Sequence, residues 1–232
     1  MRPLLSRTAR LLAAGLLLAL DGCSSKGLVI DPPPIAPNAV GEPVRIGTVR
    51  DARAFTNQSF AAPVPSTRGD VDDPEWTRRV VGRRRATART LGGDRFTHDP
   101  AGVPELVRAA LAAGLSRAGH PVLEPQPPDD SGTPQLDAVI EVFWIREAMR
   151  STSARLIYHA EVTVSGDLPG LDPPARLRAH GSMSSGAADD VLWRRATGRA
   201  LEELAQGMAD AILAGQASEA RSSDTAMRRA KP

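Results

Sequence analysis

Residues Leu136 to Ile145 constrain the fold more than any other stretch. Ala138, Ile140, Val142 and Trp144 lie on one face of an extended segment, and Val139, Phe143 and Ile145 lie on the other. A strand that is apolar on both faces needs cover on both, which is the environment of a central strand. The segment Arg155 to Gly166 alternates more cleanly, with Leu156, Tyr158, Ala160, Val162 and Val164 set against His159, Glu161 and Thr163. After a Gly/Pro turn at 167–174, Ala175 to Met183 returns as another strand, so the three read as an antiparallel meander. Val44, Ile46 and Thr48 mark a first strand that ends at Arg50-Asp51-Ala52-Arg53, and Arg79 to Arg83 marks a short second one.

Two helices complete the set. The first is expected from Asp99-Pro100, with Asp99 as N-cap and with Val103, Leu106, Val107, Ala110, Leu111, Gly114 and Leu115 on one face. Gly119 stops it, and His120-Pro121-Val122-Leu123 starts a short strand, followed by a proline-rich loop at 124–134. The second helix is expected from a cap at Ser184 or Ser185 to about Ala214, with Leu192, Leu201, Leu204, Ala205, Met208 and Ile212 as its apolar stripe. The predicted order is β-β-α-β-β-β-β-α. Its fold class is α+β, a two-layer sandwich of a mixed, mostly antiparallel sheet with two helices on one face.

The first 22 residues read differently. Arg2, Arg7 and Arg10 precede an apolar run from Leu11 to Leu20, a length that suits a signal peptide and falls short of the roughly 20 residues of a bilayer span. The run ends in Leu20-Asp21-Gly22-Cys23, which resembles the bacterial lipobox, with Asp21 a departure from its usual small or apolar residue. The resemblance implies cleavage before Cys23, acylation of that residue and, because Ser24 follows it, an outer-membrane destination facing the periplasm. Acyl chains contribute ~0.8 kcal/mol per buried CH₂, enough for a stable anchor when two or three share one residue. Residues 23–43, with Pro32-Pro33-Pro34, Pro37 and Pro43, are expected to be a tether. A single domain is expected over 44–214 and a disordered tail over 215–232.

Removing the leader changes the charge balance. The chain carries 29 Lys+Arg and 27 Asp+Glu; without Arg2, Arg7, Arg10 and Asp21 it has 26 of each. A formally neutral mature chain gives no argument for nucleic acid binding, whatever its full-length pI of about 9.2. Cys23 is the single cysteine, so no internal disulfide and no catalytic thiol remains.

Candidate chemistry is sparse. His98, His120, His159 and His180 are scattered; His159 and His180 fall on adjacent predicted strands, where two solvated histidines are the plainer reading than a metal site. Asp72-Asp73 and Asp129-Asp130 lie in polar loops, and Asp189-Asp190 suits the first turn of the last helix. No Gly-x-Ser-x-Gly and no phosphate loop occurs. The expectation is a protein without catalysis, metal or cofactor. Charge is nonetheless segregated: Asp70, Asp72, Asp73 and Glu75 are followed by Arg78, Arg79, Arg83, Arg84, Arg85 and Arg89. A self-neutralising surface loop is the plainer reading. The sharper one is a basic strip that meets anionic lipid or an acidic envelope protein through paired guanidinium hydrogen bonds. Asp51-x-Arg53 is read as a local ion pair that shapes the turn.

Over roughly residues 23–215 the chain resembles the YajG-type family of bacterial lipoproteins. The resemblance rests on Cys23, on Val44-Arg45-Ile46-Gly47-Thr48-Val49-Arg50-Asp51-Ala52-Arg53, and on Val81-Gly82. It continues through Leu106 to Val122 with Leu115-Ser116-Arg117-Ala118-Gly119, and through Leu136 to Trp144. It implies a non-enzymatic envelope lipoprotein, with no catalytic residues to carry over. An accessory lipoprotein of a transport or secretion machine is the alternative. A hydrolase would need His159, His180 and a loop carboxylate in one pocket.

Overall fold

The apolar stretch at 136–145 becomes the axis of the sheet. In the computed structural model, which describes residues 27–57, 64–85, 91–123, 132–149, 153–168, 171 and 174–229, it lies within β5 (Gln135–Met149). The segment 1–22 expected to be a leader, Cys23 and Arg89 lie outside the described residues. One edge of β5 pairs along its length with antiparallel β6 (Ala154–Gly166), which pairs in turn with antiparallel β7 (Ala175–Ser185). The other edge is shared. β1 (Val44–Asp51) runs parallel to the first part of β5, and β2 (Val80–Arg85) runs parallel to it at Ile145 and Arg146.

β3 (Leu91–Phe96) closes a hairpin on β2, and β4 (Val122–Leu123) adds a short parallel rung to β1. The sheet thus has seven strands, with three parallel and three antiparallel pairings. The meander is as expected, but the half built by β1, β2 and β4 is parallel. Parallel neighbours need a crossover, and α2 (Gly102–Arg117) supplies one between β1 and β4. Alternation alone does not reveal it. Strand β3 was not anticipated, because Gly92-Gly93 weakens any strand signal.

Helices α2 and α3 (Asp190–Arg229) pack on the same face of the sheet, and a one-turn helix, α1 (Pro74–Thr77), stands apart. Leu111 and Leu115 meet Leu201, Leu204, Met208 and Ile212 in one core with Ile140, Phe143, Ile145 and Leu156, all essentially solvent-free. Each such side chain contributes about 1.5–3 kcal/mol on burial. Gly114 permits the helices to approach: a Cβ there would lie 2.5 Å from the Ala205 carbonyl oxygen. Beside it, Arg117 forks onto Glu202 at 2.8 and 2.9 Å.

The helix ends differ from expectation. Asp99 shapes the turn before α2, accepting from the Ala101 amide at 2.8 Å, while the helix starts at Gly102 with φ +74°. The Val103 amide then donates to the Arg78 carbonyl at 2.9 Å, so a neighbouring backbone caps α2. Gly119, φ +94°, ends α2 as its position implied. The last helix is capped by Asp189, whose carboxylate accepts from the Leu192 amide at 2.8 Å, because β7 runs on through Ser184 and Ser185. It also continues to Arg229 where a disordered tail from Gly215 was expected. Gly215 is the one glycine of that stretch, and no proline occurs before Pro232.

The proline-rich segment is not a free tether within the described residues. Leu28 is buried and forms a parallel bridge with Thr97, donating to the Phe96 carbonyl at 2.7 Å and accepting from the His98 amide at 2.8 Å. Pro33 is buried, the Ser116 hydroxyl donates to the Ala36 carbonyl at 2.8 Å, and the Gly41 amide donates to the Gly119 carbonyl at 2.8 Å. Residues 27–43 are therefore a strap, running from just ahead of α2 to its far end. Proline stiffening and one buried leucine explain why: the backbone loses little entropy on docking, and Leu28 gains a place in the core.

Candidate functional site

On the shared edge of β5, β1 pairs as far as Ile140 and β2 begins pairing at Ile145, which leaves a break between them. Arg53 closes it. Its Nε and Nη2 grip the Asp51 carboxylate at 2.8 and 2.7 Å, Nη1 donates to the Val80 carbonyl at 2.7 Å and the Phe143 carbonyl at 3.2 Å, and Nη2 also reaches the Thr77 carbonyl at 2.9 Å. The guanidinium is wholly buried. The Asp-x-Arg sequence is thus a local ion pair that also sutures β1, α1, β2 and β5. With every edge of its fork engaged, Arg53 has no donor to offer a ligand.

Above this suture opens a cleft of about 420 Å³ lined by Asp51, Phe55, Thr77, Arg78, Glu105 and Arg108. Arg108 spans to β1 and donates to the Ile46 and Gly47 carbonyls at 2.8 and 2.9 Å, where the β1–β5 register shifts. Across the sheet, Asp137 accepts from the Thr48 amide at 2.6 Å and satisfies the same bulge. The most exposed charges of the cleft are Arg78, paired with Glu75 at 2.5 Å, and Glu105, 3.4 Å from Arg108. This mixed lining can hold a polar partner carrying both signs of charge. It has no isolated carboxylate of the kind that general acid catalysis uses.

The predicted basic strip is divided by the fold. Alternation along β2 sends Arg83 and Arg84 to opposite faces, and a register shift against β3 between Arg83 and Arg85 interrupts that alternation, so the run does not form one surface. Arg83 turns inward, 8% exposed, to Asp94 at 3.5 Å and the Gly92 carbonyl at 3.2 Å; burial lowers its pKa, with Asp94 opposing. Arg84 goes to the helix side and donates to the Ala188 carbonyl at 2.6 Å. Arg84 and Arg85 border a second cleft of about 500 Å³ that also contains Glu147 and Asp189. Arg79 lies near the Phe96 ring, its guanidinium 6.0 Å from the centroid, and reaches the Thr97 carbonyl at 3.4 Å.

Arg83 belongs to a network that sequence reasoning did not anticipate. The Trp76 indole donates to the Thr67 hydroxyl at 2.7 Å, and Thr67 donates to Asp94 at 2.6 Å. Asp94 also takes the Arg68 amide at 2.8 Å. Thr67 is solvent-free and the Trp76 ring meets Phe96 edge-on, 4.6 Å between centroids. These bonds hold the segment around 64–77 to the β2–β3 hairpin. No local signal marks them, since the partners lie 9 to 27 residues apart.

Comparison with known proteins assigns the chain to no family. No family model matches the chain, and no curated protein does. Among solved structures it is similar to a DUF330 protein from Xanthomonas campestris, 15% identical, with TM-score 0.47, over 82% of this chain and 95% of that one. A second similar crystal structure, of a protein described only as uncharacterised, is 13% identical with TM-score 0.35, over 82% and 97%. Likeness at these scores carries nothing about activity.

On the sheet face away from the helices, His159 and His180 are directly opposite partners, with ring centroids 5.5 Å apart. Glu161 sits among His159 Nε2 at 3.2 Å, Arg176 at 2.5 Å and Arg178 at 3.5 Å. Burial works against its charge. Hydrogen bonds from His159 and Arg176, with the charges of Arg176 and Arg178, outweigh it and hold the carboxyl below its ordinary range. Arg176 also bridges to Glu141 at 2.8 Å, which receives the Thr163 hydroxyl at 2.9 Å. The cluster ties β5, β6 and β7 together. Among the described residues no three His, Cys, Asp or Glu side chains converge as a metal site would require.

Proposed function

We propose that this chain is a non-catalytic, lipid-anchored envelope lipoprotein of the YajG type, a binding or structural component on the periplasmic side of the outer membrane. The observation that carries the reading is the leader that ends in Leu20-Asp21-Gly22-Cys23, with Cys23 as the single cysteine. Support comes from the way the strongest polar constellations are consumed internally. Arg53, Arg83 and Asp94 are taken up by backbone groups, by Asp51 and Thr67, and by the Arg83–Asp94 pair, which suits a scaffold more than a reacting centre. The surfaces left for a partner, an envelope protein or anionic lipid, are the two mixed-charge clefts, with Arg78 in one and Arg84 and Arg85 in the other. Mass spectrometry of the envelope-extracted protein should find acyl chains on Cys23, and Cys23→Ala should move the protein to the soluble periplasmic fraction. Unmodified Cys23 in membrane-bound protein would refute the reading. Crosslinked co-purification beside Arg78→Ala and Arg84→Ala/Arg85→Ala variants then assigns the partner to a cleft.

A further inference from the structure

The strap changes where the domain hangs. Were residues 24–43 a free tether, the chain would leave the domain at Val44, whose amide is bonded to the Pro121 carbonyl just past the end of α2. The reach from Cys23 would then be 21 residues, about 75 Å at full extension, and any face could meet the membrane. Docked, the strap carries the exit point along α2 to Leu28, beside Thr97 and His98 at the opposite end of that helix. Helix α2 has 16 residues and so is about 24 Å long. Only four residues lie between Cys23 and Leu28, so the five steps from one to the other make a leash of about 18 Å at most.

We propose that the docked strap, pinned by Leu28 at Thr97, holds the end of the domain carrying the α2 N-terminus against a phospholipid bilayer and points the α2 C-terminus away from it. The inference rests on acylation at Cys23, and it goes further by assigning an orientation that the free-tether reading lacks. The 420 Å³ cleft, lined by Ala101, Pro104 and Glu105 of the same helix end, then faces the lipid surface, within reach of headgroups. The exposed end formed by Val40, Gly119 and Leu123 faces the periplasm.

The test uses full-length acylated protein in phosphatidylethanolamine/phosphatidylglycerol vesicles that contain an acceptor-labelled headgroup lipid. A donor dye is attached through an azide-bearing residue placed at His98 or at Val40, both exposed. Energy transfer should be several-fold stronger from position 98 than from position 40. Equal or reversed transfer would overturn the proposal. A flexible Gly/Ser insertion of about twenty residues between Cys23 and Gly27 should abolish the difference. An undiminished difference would overturn the short leash as its cause. Mass spectrometry of the same sample reads the acylation separately. If Cys23 is unmodified, the proposed function fails, while a maleimide-phospholipid coupled to Cys23 restores the leash and still tests the orientation.

Discussion

At the residue scale, the arginines of this chain divide into those that hold the fold and those that lie on it. Arg53 serves β1, α1, β2 and β5 with one guanidinium, a geometry that lysine cannot reproduce because it lacks the planar fork. Arg53→Lys should therefore cost about 3 kcal/mol or more, read from the urea midpoint at unchanged slope. Arg83 and Arg78 make a sharper contrast, since a sequence reading places them in one strip. Arg83→Ala leaves Asp94, whose side chain is 1% exposed, with its bonds from Thr67 and the Arg68 amide but without the counter-charge of Arg83, and should cost about 3–5 kcal/mol. Arg78→Ala removes an exposed i,i+3 pair and should cost no more than about 0.5 kcal/mol. A comparable loss from both would mean that burial of Arg83 against Asp94 does not set it apart from Arg78.

At the element scale, the two helices and the meander were legible because their periodicities are local. Leu201, Leu204, Ala205, Met208 and Ile212 all lie buried where the stripe places them, and β5, β6 and β7 pair as an antiparallel meander. What local pattern could not show is how elements distant in sequence meet. Gly114 reads as one more small residue of a helix, yet it is the point where α2 touches the α3 backbone. Gly114→Val should force the helices apart and lower stability by about 1–3 kcal/mol, seen in thermal unfolding with α-helical content retained. The β5–β6–β7 face makes a prediction about acid. Because the Glu161 carboxyl is held below its ordinary range in the fold, its stabilising effect is present above the unfolded value of about 4.3 and is lost as pH falls through the folded one. Glu161→Gln should flatten the stability curve in that acidic window and leave its shape near neutrality unchanged. An unchanged acid limb would place the titration elsewhere.

At the scale of the whole molecule, the docked strap is where sequence and structure differ most in consequence. Proline-rich composition suggested a free tether, and the buried Leu28 ties its described part to the domain. Leu28→Asp should release the strap, exposing residues 27–43 to proteolysis at rates many-fold above those of the parent while the sheet and helices stay protected. Protection unchanged in that variant would mean the remaining strap contacts, at Ala36 and Gly41, suffice alone.

The sequence by itself determined the properties that short-range pattern encodes. They are the central and meander strands, the two amphipathic helices and the glycine that stops the first. Tertiary structure alone decided the parallel arrangement of β1, β2 and β4, the added strand β3, the division of the arginines and the course of the strap. Each of these depends on which distant groups complete a hydrogen bond or fill a space: Arg53 at Phe143, Thr67 at Asp94, Leu28 at Thr97. Periodicity records which face of an element is apolar, but the identity of the group on the other side is settled only when the chain folds back on itself.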